Sequence, residues 1–462
     1  MFLRVGSLRG VLLPVAIAAA LADAPPTEGV PSDVGAVLAE LRAEVAAIRA
    51  ARDSEWLDRA RAEQVRAVAR DVLADSAART SFLAAGGQAG YEPGRGFFVA
   101  DPGGAFTLGI TGFTQQRFVA NFGTDAAERT PYGVNAVWGF EVHRTQVFFA
   151  GTAVDPSITY LLGLQLDPQP DPGDMPIART DPAEAEGGTL EINYLNVTKH
   201  LSGGWWVQAG NIFTPWDLES HLFCAANVQS GEYSVLNFLF GAGYTSGVAL
   251  GVDGDDLRWS ACYGNVLGLG PNQWNSAYNQ SYAFSTRLNW RLAGDWAQYA
   301  DESSFRGQPF GAFLGLALRA ENGRATTPAG FAWGAQYGAT ADVTLMFGGA
   351  NVMAELVWIQ DYVQPGQGAW GAWLQGGAFV TDQVEAFAGW TVVSLLGTQQ
   401  YGTAGVNWYL HRDALKVTAM AMIAGGGDEA NFYSLYLPGM GLLDADHPNN
   451  AASMVLQLQM AF

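Results

Sequence analysis

Residues 331–347 read Phe331-Ala-Trp-Gly-Ala-Gln-Tyr-Gly-Ala-Thr-Ala-Asp-Val-Thr-Leu-Met-Phe347. One phase holds Phe331, Trp333, Ala335, Tyr337, Ala339, Ala341, Val343, Leu345 and Phe347, and the other holds Gly334, Gln336, Gly338, Thr340, Asp342 and Thr344. A period of two describes a strand with one apolar and one polar face. The run is longer than the roughly ten residues of an ordinary globular strand, and it suits a tilted strand that spans an outer membrane and projects beyond it.

The same alternation returns at the end of the chain. Met454, Leu456, Leu458, Met460 and Phe462 interleave with Ser453, Val455, Gln457, Gln459 and Ala461. A last strand closing on an aromatic residue is typical of bacterial outer-membrane barrels, and Phe462 is the expected signal for the barrel-assembly machinery. Between these runs the pattern predicts sixteen strands, beginning near residues 106, 137, 157, 189, 204, 242, 256, 279, 309, 330, 350, 370, 384, 399, 414 and 452. An even, antiparallel, closed set satisfies every backbone group in lipid. If the first strand starts in the periplasm, the even-to-odd turns should be short, as at Gly348-Gly349, Asp382-Gln383 and His411-Arg412-Asp413. The odd-to-even connections 123–136, 168–188, 213–241, 266–278 and 425–451 are longer, as external loops should be. One connection, 293–308, is long on the wrong side.

Composition agrees. Of 462 residues 49% are hydrophobic, 12% aromatic and only 15% charged, below the roughly 25% of ordinary soluble domains. No apolar run reaches the length of a membrane helix. The net charge is −20 and the only lysines are Lys199 and Lys416, which excludes nucleic acid as a partner. Two cysteines, Cys224 and Cys262, make no disulfide framework. No His-Glu-x-x-His, Gly-x-Ser-x-Gly or phosphate-loop motif occurs, so neither enzyme activity nor a metal or cofactor is expected.

Residues 1–24 have Arg4 and Arg9 before a short apolar core and small residues at its end, and read as a secretory signal peptide. Residues 25–31 read as a Pro-rich linker, 32–83 as a helical coiled-coil segment in the periplasm, 84–104 as a Gly-rich linker and 105–462 as the barrel. The helix has a heptad seam at Val34, Leu38, Leu41, Val45 and Ile48 that lapses at Arg52 and Glu55. The fold class expected is thus all-β: a 16-stranded antiparallel transmembrane β-barrel preceded by an α-helical segment.

Three local stretches go further. They are Phe140-Glu-Val-His-Arg-Thr-Gln-Val-Phe-Phe-Ala-Gly151, Asp155-Pro156 with Tyr160, and Val207-Gln-Ala-Gly-Asn-Ile-Phe-Thr-Pro-Trp216. With them the chain resembles the phosphate-selective porin O and P family. The resemblance implies an outer-membrane porin, with the last stretch leading into the third external loop. It departs from that family in charge: members named for phosphate use lumen Arg and Lys clusters, whereas this barrel carries nearly all of the chain's −20.

A sixteen-stranded barrel is wide enough for a water-filled channel, so something must narrow it. The expected constriction is the loop 213–241, with Asp217, Glu219, His221, Glu232 and Tyr233 and no Lys or Arg. Such a loop lowers the barrier for cations; alternatively its carboxylates sit on the solvated outer part. Facing it, Arg117, Lys199, Arg287, Arg291 and Lys416 are expected to form a basic lumen wall, either setting up a transverse field or pairing with lumen carboxylates such as Glu191. The functional expectation is passive diffusion of small hydrophilic solutes or ions through a weakly selective or cation-preferring homotrimeric pore in outer-membrane lipid. An anion-selective pore and a structural tether are the alternatives.

The seam is short, so removing residues 32–83 is expected to weaken a trimer without abolishing it. Identical trimer stability with and without the segment in analytical ultracentrifugation would contradict this.

Overall fold

The computed structural model describes residues 39–46, 86–92, 96–122, 136–167, 189–219, 224–265, 282–327, 330–361, 366–395, 397–426 and 452–462. The signal peptide, the Pro-rich linker, the expected loops 168–188 and 266–278, nearly all of 123–136 and 425–451, and His221 lie outside them. Of residues 32–83 only 39–46 is described; it is helical, and its seam residues Leu41 and Val45 are exposed.

The second compact unit, residues 86–462, opens with two short strands, β1 (Gln88–Glu92) and β2 (Gly96–Ala100). Eight longer strands follow: β3 (Thr107–Phe122), β4 (Ala136–Ala153), β5 (Asp155–Asp167), β6 (Thr189–His200), β7 (Trp205–Phe213), β8 (Tyr244–Asp253), β9 (Leu257–Gly264) and β10 (Ala283–Ala293). The remaining eight are β11 (Gly311–Thr327), β12 (Gly330–Met346), β13 (Ala350–Gln360), β14 (Gly368–Phe379), β15 (Val384–Ser394), β16 (Thr398–His411), β17 (Leu415–Gly425) and β18 (Ala452–Ala461). Each of β3 to β18 pairs antiparallel with the next, and β18 returns to β3 from Ala452↔Phe122 to Ala461↔Phe113. This is the closed sixteen-stranded barrel, and every expected strand start falls within a few residues of an observed one.

The faces are inverted relative to a soluble protein. On β18 the outward Leu456 and Leu458 are exposed while the inward Gln457 and Gln459 are buried. On β12 and β13, Tyr337, Leu356 and Trp358 face out, and Gln336, Thr340, Asp342, Asn351 and Glu355 are buried inside. An apolar outer belt and a polar interior are what lipid requires. Exposed aromatics stand toward both rims: Trp205, Trp290 and Trp408 near the short turns, Trp138, Trp358 and Trp370 near the long loops. Such rings suit the two membrane interfaces.

One expected linker is corrected. Residues 88–100 form a hairpin, with Gln88↔Ala100 through Glu92↔Gly96, and β2 pairs with β3 from Phe97↔Ile110 to Ala100↔Thr107. The reason is backbone demand: β18 stops opposite Phe113, leaving this part of the β3 edge without a partner. Gly96 has φ 71°, and a Cβ there would lie 2.1 Å from the Ile110 carbonyl oxygen, so only glycine permits the approach. At the handover, Phe462 and Gly112 exchange both backbone hydrogen bonds, at 2.9 and 3.0 Å. The ring of Phe97 lies 6.5 Å from that of Phe462.

Deleting Phe462 removes that reciprocal pair and the ring that covers Gly112, and is expected to lower the yield of folded, heat-modifiable barrel. Wild-type yield by gel mobility shift would contradict it.

Candidate functional site: a lumen filled from both rims

The described parts of the connection between β7 and β8, residues 214–219 and 224–243, fold into the barrel and reach the β14–β17 wall. Trp216, Leu218, Val228, Leu236 and Phe240 are wholly or almost wholly buried there. A short helix, Val235–Phe240, is started by Ser234, whose hydroxyl accepts from the Asn237 backbone N–H at 3.1 Å. Asp217 accepts from the Asn237 side chain, and Glu219 accepts from the Ser234 N–H at 2.8 Å and from its hydroxyl. The carboxylates expected at the constriction are thus inside the barrel, shaping the loop, rather than on a solvated outer surface.

Glu232 ties the loop to the β3–β4 wall. It contacts His143, lies 3.1 Å from Arg144 and 3.8 Å from Arg117, and Arg117 also binds Glu141. A register shift between Gln115 and Gln116 makes a bulge in β4, so Gln115 faces Arg144 while Gln116 faces Val142. The bulge turns the consecutive His143 and Arg144 toward one acceptor, which a regular strand cannot do. Burial alone would raise the Glu232 carboxyl; Arg144, His143 and Arg117 outweigh it and hold the group well below the usual carboxylate range. Tyr233, beside it, packs under the Arg144 guanidinium at 5.8 Å. The free space left where Glu232 and Tyr233 meet the β14–β17 wall is about 10 Å³, at most that of a single water.

The basic wall serves the same purpose. Arg287 donates to the Trp216 carbonyl at 2.8 Å and pairs with Asp342 at 2.7 Å. Lys416 donates to the carbonyls of Ala226 and Val228 at 3.2 and 2.9 Å and meets Asp413 at 3.3 Å. Arg319 stacks over the Trp216 ring at 4.8 Å. Arg117, Arg287 and Lys416 are all buried, so they clamp the loop and do not stand free before a solute.

Two members of the expected wall are elsewhere. Lys199 shares the outward face of Leu195 and Val197 and sits half-exposed at the short-turn rim, 3.2 Å from Asp155. Arg291 is at the same rim, 2.9 Å from Asp256 and near Trp296. The side chain of Glu191 lies outside the described residues.

The connection that broke the loop rule, 294–310, enters from the short-turn rim. It contains a 3-10 turn, Gln298–Ala300. Tyr299 packs on Phe313 with ring centroids 4.5 Å apart, and its hydroxyl lies 3.1 Å from Asp342. Phe305 packs between Phe379 and Tyr409. The segment meets the other loop inside the barrel: Glu302 N–H to Asn227 O at 3.4 Å, Asn227 side chain to Ala300 O at 3.0 Å, and Gln229 N–H to the Glu302 carboxyl at 2.7 Å.

Around this junction stand Glu219, Glu302, Glu355 and Glu385, none with a basic ion-pair partner among the described residues. Glu385 is surrounded by donors from Gln229, Ser303, Asn407 and Tyr409. Glu355 accepts the Leu218 N–H at 3.0 Å. Glu302, Glu355 and Glu385 are not among the residues expected from the sequence; the inward phase of Asn351, Met353 and Glu355 on β13 and the long connection 293–308 are the features of the sequence that point to them.

No protein-family model and no curated protein matches the chain. Among solved structures it is similar to OmpF of Salmonella typhi in complex with daunomycin (10% identity, 78% of this chain and 98% of that one, TM-score 0.50). It is likewise similar to an anion-selective porin from Comamonas acidovorans (11% identity, 77% and 99%, TM-score 0.50). The fold is therefore that of the bacterial outer-membrane porins, and the narrower resemblance to the phosphate-selective family gains no support from these comparisons.

Replacing Glu232 by Gln leaves Arg117 and Arg144 facing one carboxylate fewer; breaking a buried pair costs about 3–5 kcal/mol. The loop should then release, and chymotrypsin should nick 214–243 at protease levels that leave the wild type intact. Equal resistance would contradict the clamp.

Proposed function

We propose that the chain is an outer-membrane channel for passive diffusion of small hydrophilic solutes or ions, preferring cations or weakly selective. The observation that carries this is the unequal use of lumen charge. Arg117, Arg287 and Lys416 are each tied to a carboxylate and, for the last two, to loop carbonyls, whereas Glu219, Glu302, Glu355 and Glu385 form no ion pair among the described residues. Where water reaches them, ionised carboxylates here put negative potential along the path. Each close carboxylate–ion contact in such a site is worth on the order of 1–4 kcal/mol before salt screening. A phosphate-selective pore needs accessible basic groups, and the buried ones here are engaged in holding a loop.

The homotrimer, the reading of Phe462 by the assembly machinery, and a periplasmic position for the N-terminal helix belong to the same proposal. They are supported by the apolar outer wall, the aromatic chain end and the exposed Leu41 and Val45.

The test is the reversal potential of purified protein in a planar bilayer under a salt gradient, at pH 8. A cation-selective sign is expected, with selectivity reduced several-fold by Glu219→Gln combined with Glu355→Gln. Anion preference unchanged by the substitutions would refute the selectivity, and a barrel that never conducts would leave the tether reading.

A further inference from the structure

Beyond the charge of Glu302, the segment between β10 and β11 has no role in the channel reading so far, and its position inside the barrel demands one. It carries two adjacent acids, Asp301 and Glu302, and both point at other acids. Glu302 is wholly buried. One of its oxygens accepts from the Gln229 N–H and the Gln375 side chain, at 2.7 and 3.1 Å, and the other has no hydrogen-bond partner.

The groups facing it can be followed element by element. The outer loop presents Glu219, β15 presents Glu385, and β17 presents Lys416; β13 adds Glu355 next to Glu219. Tyr409 of β16 is bonded to Glu385, and Asp413, in the β16–β17 turn, faces Asp301. Lys416 is the one cation of this set, and it already meets Asp413 and two loop carbonyls. The junction of the two inward connections therefore has room for few negative charges.

Resting on the channel reading, we propose that residues 294–310 form a gate held against the outer loop by protonated carboxyl groups, and that ionisation of Glu302 and Asp301 releases it and opens the lumen. Burial, with Glu385 adding to it, pushes the Glu302 carboxyl up to about 8 against the opposing pull of the Gln229 N–H and Lys416. Burial and Asp413 push Asp301 well above the ordinary range, and burial and Glu302 do the same for Glu219.

The sign follows by linkage. A carboxyl raised in the docked arrangement and ordinary in the released one adds no penalty at low pH, when it is protonated in both. Docking weakens as pH rises from the ordinary carboxyl value, near about 4.3, toward the docked value of about 8, and then levels off. Within that window each such group shifts the open-to-closed ratio by up to about tenfold per pH unit. Acid closes the channel and neutral to basic conditions open it.

The experiment is conductance per insertion of the purified full-length protein in planar bilayers at fixed high salt, from pH 5 to pH 9. Conductance should rise by about tenfold or more across this range. Asp301→Asn with Glu302→Gln, which keeps size and removes charge, should stay at the low-pH level throughout. A wild-type response that is flat, or that falls with pH, overturns the gate. A third form, with residues 298–306 replaced by a short turn, separates the two readings. If it conducts at every pH while the wild type responds, the gate is supported. If it conducts and the wild type is flat, the gate fails and the channel stands. If neither this form nor the wild type conducts at any pH, the channel reading fails and the gate with it.

Discussion

Hydrocarbon offers no water to a backbone N–H or C=O, and this constraint governs the whole molecule. A sheet in lipid has to close, and here it closes at one edge, that of β3. That edge is completed from two directions: β18 supplies partners for residues 113–122, and β2 supplies them for 107–110. Phe462 stands at the handover, exchanging hydrogen bonds with Gly112. The barrel seam thus depends on residues about 350 positions apart in the chain, such as Gly112 and Phe462, and the alternation of exposed leucines with buried glutamines along β18 has meaning only after that seam is made.

Closure creates a second problem. Sixteen strands enclose more space than side chains of the wall can fill, and the wall is polar because its other face had to be apolar. A loop entering this space needs partners for its own backbone. Arg287 meets the Trp216 carbonyl, Lys416 meets those of Ala226 and Val228, and Asn407 donates to that of Gln229. Long cationic side chains suit the task because each can reach a carbonyl while keeping a carboxylate beside it. The price in desolvation is offset only where those partners are complete.

The strand ladder was legible because its period is set by covalent geometry: each expected start and the inward phase of Arg287 follow from alternation alone. Loops have no period. The acidic character of 213–241 could be read, but not that Glu219 would fold back onto Ser234, a partner fixed by three-dimensional closure. Lys199 takes the outward phase of Leu195 and Val197, whereas alternation counted from the start of β6 puts it inward, because the bulge opposite Gly163 shifts the phase by one residue. Residues 88–100 escaped notice since five-residue strands are too short to show a period, and their need arises from where β18 stops. The connection 293–308 was conspicuous by length alone; its side chains find partners up to about a hundred residues away, such as Tyr409 for Ser303.

The two connections that meet in the lumen are not held with equal strength. The outer one has Glu232 against Arg117, His143 and Arg144, and charge-assisted bonds of this kind are roughly twice as strong as neutral ones. The inner one has an exposed pair, Arg306 with Asp382, of the kind that contributes little. Otherwise it relies on Tyr299, Phe305 and hydrogen bonds that involve Glu302 and Ser303. Apolar rings fix where it sits and Asn227 holds the Ala300 carbonyl, but its shortest hydrogen bond to the outer loop ends on a carboxyl whose charge its surroundings oppose. Any displacement that admits water should therefore begin on the inner side, at the Glu302–Gln229 contact, while the loop from the other rim stays clamped to β4.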